Sequence, residues 1–160
     1  MALPQESRAT FRSLVESGNI RYSVWPAAAV GVQMVSDNAA AAWAWAAYVD
    51  IIAAANLVDP SWLCGIHIHT AVVAHHYGEI AVAIGAAGFE VDLAIFPYQA
   101  LFVGATAVLA AMPMGGSTKN LPYPIRIIGS PRLSGRVRKS SAANLDGVTL
   151  KAIVATLIGT

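Results

Sequence analysis

Charge is scarce in this chain. Asp, Glu, Lys and Arg make up 12% of its 160 residues, about half of the roughly 25% usual in a soluble domain. The formal net charge is +1, so the broad basic field used for nucleic acid is lacking and no nucleic-acid partner is expected. Cysteine is nearly absent. Cys64 stands alone, which excludes an intrachain disulfide and leaves the redox compartment open. The N-terminus lacks an apolar centre, because Glu6, Arg8, Arg12 and Glu16 come first, and no signal peptide is expected. Formally charged residues are missing from Leu93 to Thr118, longer than the about 20 residues a membrane helix needs. Pro97, Gln99, Gly104, Pro113 and Gly115-Gly116 interrupt that stretch, and no Lys or Arg flanks its N-terminal side. A membrane partner is therefore not expected.

What the chain has in plenty is short apolar alternation. Residues 1–18 read as a short helix or arm, with Pro4 near its start, Phe11, Leu14 and Val15 on one stripe and Gly18 to end it. It would either dock on its own domain or reach a neighbour. From residue 19 the period becomes two. "NIRYSVW", "VGVQMVS", "YVDIIAA", "LCGIHIHTAVV", "EIAVAI", "VDLAIFP", "PIRII", "RLSGRVRKS" and "GVTLKAIVATLIG" read as strands. A further strand is expected within 97–113, and "MGGSTKNLPYP" reads as a loop. Residues 38–48 suit either a strand or a helical turn. Short strands separated by turn signals at this spacing make the expected fold an all-β antiparallel sandwich, barrel or jelly roll over residues 19–160, in one domain.

Several strands are apolar on both sides. In residues 148–158, Val148, Leu150, Ala152 and Val154 share one face, while Ile153, Ala155 and Leu157 share the other. Between Glu79 and Pro97, Ile80, Val82, Ile84, Val91, Leu93 and Ile95 are expected to face inward. Glu79, Glu90 and Asp92 then share an outer side otherwise mostly alanine. Antiparallel sheets usually keep one wet face. Two dry faces call for a second cover, either a long loop or another copy, and large apolar patches often mark association surfaces. A homo-oligomer is expected, a trimer being one closed form.

Chemistry-bearing residues are few. His67, His69, His75 and His76 form one cluster, and Glu79 supplies an oxygen ligand within reach in sequence. The spacing is superficially similar to the cupin His-x-His motif, but Glu79 follows His69 by ten residues and no second histidine motif exists. No metal and no cofactor is expected. Cys64 beside the histidines allows a thiol–imidazole pair but reads better as a small buried side chain. Glu79, Glu90 and Asp92 suit acid–base work or calcium but read better as a solvated stripe or as ion-pair partners. Catalysis is not expected.

Arg126, Arg132, Arg136, Arg138 and Lys139 crowd into one short stretch. They suit ion pairs with acids of a neighbour or a charged edge strand. Trp43 and Trp45 suit core packing or contact anchors. The expected interface residues are thus Trp43, Trp45, Arg126, Arg132, Arg136, Arg138, Ile153 and Leu157.

Two stretches, "IAVAIGAAGFEVDLAIFP" and "LPYPIRIIGSPRLSGRVRKSS" with "GVTLKAIVATLIG", resemble tailed-bacteriophage virion proteins of the small β-sandwich kind. The resemblance covers residues 77–160. Phe89 and Gly129-Ser130-Pro131 depart from the pattern at turns. The resemblance implies a virion component without enzymatic activity. The favoured expectation is a capsid decoration (cement) protein on the capsid exterior, with itself and the major capsid protein or other virion proteins as partners. The alternative is a minor tail or tail-associated protein with a glycan- or receptor-binding sandwich using Trp43, Trp45 and the acidic stripe.

Overall fold

The computed structural model describes residues 11–27, 31–35, 42–57, 59–71, 76–100, 117–129, 131–140 and 147–158. Nine strands are found there: β1 (Ile20–Trp25), β2 (Val32–Val35), β3 (Val49–Ile52), β4 (Ser61–Ala71), β5 (His76–Ile84), β6 (Val91–Ala100), β7 (Ser117–Ile127), β8 (Leu133–Lys139) and β9 (Gly147–Leu157). They form two antiparallel sheets. One has the order β1-β9-β4-β7 with β2 also on β9, and the other has the order β3-β8-β5-β6.

β1 and β2 follow one another along β9. Ile20–Trp25 lies opposite Leu157–Ala152, and Val32–Val35 opposite Leu150–Gly147. They are two pieces of one interrupted strand. Counted so, the pairs nest: first with last, then β3 with β8, β4 with β7, β5 with β6. The pairs β9–β4 and β8–β5 then roll this long double ribbon into two layers. That is a jelly-roll sandwich.

The core lies between the layers. Leu63, Ile66 and Ile68 of β4 meet Val148, Leu150, Ala152 and Val154 of β9 within one wall, and Ile80, Val82, Phe96, Leu133 and Val137 form the other. The alternation expected for Ile66/Ile68 against His67/His69 and along β9 is present: the inward residues are buried and the histidines half-buried. Pro97, Pro122 and Pro124 sit in β6 and β7, the outermost described strands of their sheets, where a missing N–H is tolerated.

Two readings need correction. Ser117–Ile127 is strand rather than loop through residues 117–123, because it completes the β-ladder beside β4. On β6, Val91 and Ile95 are 64% and 52% exposed, whereas Phe96 and Tyr98 are buried. A bulge turns Ile95 outward, whereas Val91, paired with Ile84, is exposed at the strand's start. Val82 pairs with Ala94 but Ala83 with Asp92, so Leu93 is an extra residue and the strand changes face. The strand expected within 97–113 coincides with the end of β6 as far as Ala100 and otherwise lies outside the described residues. Of the unsettled segment 38–48, residues 42–48 form no regular element.

Residues 11–16 are helical. The helix ends where the N–H of Gly18 bonds Val15 O and that of Asn19 bonds Leu14 O, with Gly18 at φ 72°. This is the Schellman arrangement, and the left-handed residue it needs is glycine. Phe11 meets Trp62 edge-on, ring centroids 5.6 Å apart, so the helix docks on its own sheet. Among the described residues no helix is long and apolar enough to cross a membrane.

Candidate functional site

The outer face of the β3-β8-β5-β6 sheet carries the densest polar chemistry. Register builds it. Glu79 pairs with Arg138, Ala81 with Arg136 and Ala83 with Ser134 across β5 and β8. Since Ile80, Val82 and Val137 point into the core, these residues point out. On the β6 side Asp92 pairs with Ala83.

Each arginine of this face finds an acid of its own chain. Arg138 Nη2 is 2.5 Å from Glu79 Oε2, and Arg136 Nη2 is 2.5 Å from Asp92 Oδ2. Arg132 pairs with Glu90 and, at 2.6 Å, with Asp50; its Nε also donates to Gly85 O. Tyr48 donates to Asp92 at 2.7 Å. Aromatic rings roof the row. Arg136 lies 4.6 Å from the Trp45 ring and 4.5 Å from the Tyr48 ring. Arg138 lies 4.5 Å from Trp45 and 5.7 Å from Trp43. Such cation–π contacts contribute about 0.5–1 kcal/mol each where partly exposed. The segment bearing the rings is held to β8 by Trp43 N–H to Lys139 O and Ala46 N–H to Val137 O.

This layer explains the alanines. Ala81 and Ala83 are fully buried although they face away from the core. Only a small side chain fits beneath arginine stems and indole rings. Ala155 is equally buried on the other sheet, between Tyr22 and Trp62 in register. The second dry side was expected to be finished by assembly. Over these alanines the chain itself supplies the cover. The acids expected from a neighbour are likewise its own.

Electrostatics follows from the packing. Burial raises the Glu90 carboxyl, but the backbone N–H groups near Gly88 and Glu90 and the Arg132 guanidinium outweigh it and hold Glu90 below the ordinary carboxylate range. Burial first, then the hydrogen bond to Asp92, pushes the Tyr48 phenol up to about 12.

The remaining sequence candidates are dispersed. Arg126 is exposed on β7, in the other sheet, paired with Trp62. Lys139 is buried. His67 faces out beside Thr118, Nδ1 3.1 Å from Oγ1, and His69 is half-buried one alternation along. Glu79, the oxygen ligand expected to join them, belongs to the other sheet and is engaged by Arg138. His75 and the side chain of His76 lie outside the described residues. Among the described residues no three His, Cys, Asp or Glu side chains gather to hold a metal ion. Burial pushes the Cys64 thiol up to about 11, so at neutral pH it is protonated and a poor nucleophile.

Ile153 is half-buried on the outer face of β9, beside exposed Val24 and Gly65. It lines an open groove of 370 Å³ with Phe11, Tyr22, Cys64, Asn120, Leu121 and Pro124. Leu157, opposite Ile20, is half-buried at the end of the same strand. The strip Tyr22–Val24–Ile153 was legible only in part, since β1 had no partner in the sequence reading. No protein-family model matches the chain, and neither a curated protein nor a solved structure matches it.

Proposed function

We propose that the chain is a structural virion protein of a tailed phage, a capsid decoration protein that associates with its own copies and clamps the shell. The observation that carries this reading is the apolar strip on the outer face of the β1-β9 wall. Tyr22 and Val24 are 54% and 46% exposed, and they adjoin Ile153 and the groove beside it. Contiguous apolar surface of this kind favours association. The resemblance of residues 77–160 to small virion sandwiches points the same way. Repeated weak contacts on a symmetric lattice add up by effective concentration.

The test has two parts. Sedimentation of the wild type and of Val24→Lys should give an oligomer and a smaller species. Purified protein should bind undecorated shells saturably and raise their melting temperature. A wild-type monomer at micromolar concentration that leaves shells unchanged overturns the reading.

A further inference from the structure

A second cavity, of 210 Å³, opens between the sheets at the β1 edge. Its lining is Arg21, Ser23, Trp25, Asn56, Leu57 and Thr156. Arg21, Ser23 and Trp25 alternate along β1 and so share its inward face, and Thr156 is the register partner of Arg21. Leu57 is buried and Trp25 half-buried, and both belong to the core packing. The cavity therefore has an apolar floor and a polar rim.

Its geometry is fixed in advance. Trp25 Nε1 donates to Ser23 Oγ at 3.1 Å, and that hydroxyl is 3.3 Å from Val154 O. The indole is thus held in one orientation. Asn56 is held on the rim by a turn in which its N–H bonds Ala53 O. The turn puts Ala55 at φ 69°, a left-handed conformation that an alanine rarely adopts; such outliers cluster at ligand sites. Among the described residues that line the cavity there is no acid. Arg132, Arg136 and Arg138 are all ion-paired, whereas among the described residues Arg21 has no acid within ion-pair distance.

We infer that this cavity binds an acidic monosaccharide unit, a uronic-acid type ring. Each element of such a ring has a counterpart. The C–H face packs on the fixed indole and Leu57, an apolar surface of the kind sugar rings stack on. The carboxylate meets the Arg21 fork, which suits it bidentately. The ring hydroxyls meet Asn56 and Thr156, which both donate and accept. A neutral sugar leaves the guanidinium without its anion, and a flat aromatic acid leaves the amide and hydroxyl unused. The site does not depend on where in a particle the chain resides.

Titration of the full chain with sodium glucuronate, followed through the assigned indole N–H resonance of Trp25, tests this. The resonance should move saturably. Glucose and benzoate should each bind more weakly. Arg21→Gln, on an exposed position of β1, should weaken glucuronate by about tenfold or more, as loss of a charge-assisted contact implies, while leaving glucose unchanged. Asn56→Ala should weaken both sugars. No saturable shift overturns the inference. So does equal binding of benzoate, or glucuronate binding that Arg21→Gln leaves intact in a folded protein.

Discussion

Glu79 and Arg138 are direct register partners across β5 and β8, and their side chains meet at 2.5 Å on the outer face of the sheet. The side chains are 29% and 32% exposed, so solvent screens the pair and its coupling should be modest. A double-mutant cycle with Glu79→Gln and Arg138→Gln, read by urea unfolding, should give about 0.5–1 kcal/mol. A coupling indistinguishable from zero would show that register alone sets the contact.

Arg136 should matter more than Arg138, being less exposed (23% against 32%) and close to both of its rings. It holds Asp92 and lies beneath both Trp45 and Tyr48. Arg136→Ala should cost about 2 kcal/mol, the sum of a half-screened ion pair and two ring contacts. Arg136→Lys should restore less than half, because an ammonium cannot stack and fork at once. Equal stability of the lysine variant and the wild type would remove the stacking argument.

Alanine at position 81 tests whether the outer face is interior. Ala81→Leu places a large side chain beneath the Arg136 layer, where Ala81 has no exposed surface. Overpacking of this kind costs about 1–3 kcal/mol. A neutral substitution, as expected on a wet β-face, would contradict the covered layer.

Glu90 and Tyr48 act on opposite flanks of the stable pH range. Glu90 ionises more readily folded than unfolded. Its contribution is therefore complete above its unfolded pKa and is lost as pH falls through the lower folded value. Tyr48 is the reverse. Its folded pKa of about 12 lies above the ordinary tyrosine value of 10.0, so its contribution is complete below the unfolded value and is lost as pH rises through the folded one. Thermal melts across pH should show both flanks. Glu90→Gln should make the acid side shallower and Tyr48→Phe the alkaline side, to which Tyr22 and Cys64 also contribute, each leaving the other flank unchanged.

The sequence was legible where a single strand decides. Inward and outward residues of β4 and β9 follow from alternation alone, and Gly18 marks its helix end by a conformation that glycine favours. What failed was whatever a second strand decides. The bulge at Leu93 is written in the β5–β6 register, so the reversal that buries Phe96 and exposes Ile95 left no local trace. Ser117–Tyr123 reads as loop because Ser117, Asn120 and Pro122 are turn-type residues, whereas its regularity comes from pairing with β4. The crowding of basic residues from Arg126 to Lys139 was visible. That Arg126 would fall on the opposite layer, and that Glu79, Glu90, Asp92 and Asp50 would meet Arg132, Arg136 and Arg138, depends on contacts far apart in the chain.

The nested pairing sets an order of events during synthesis. β9 is the partner of β1, β2 and β4, yet it emerges from the ribosome after all of them. One wall of the sandwich therefore waits, with β1 and β2 unmatched and β4 paired on one side only, until β9 arrives, and closure at that stage joins residues far apart in the chain. Such distant pairing is slow, in the millisecond-to-second range. Removal of the β9 segment would leave a half-built sheet prone to clumping rather than a shortened domain.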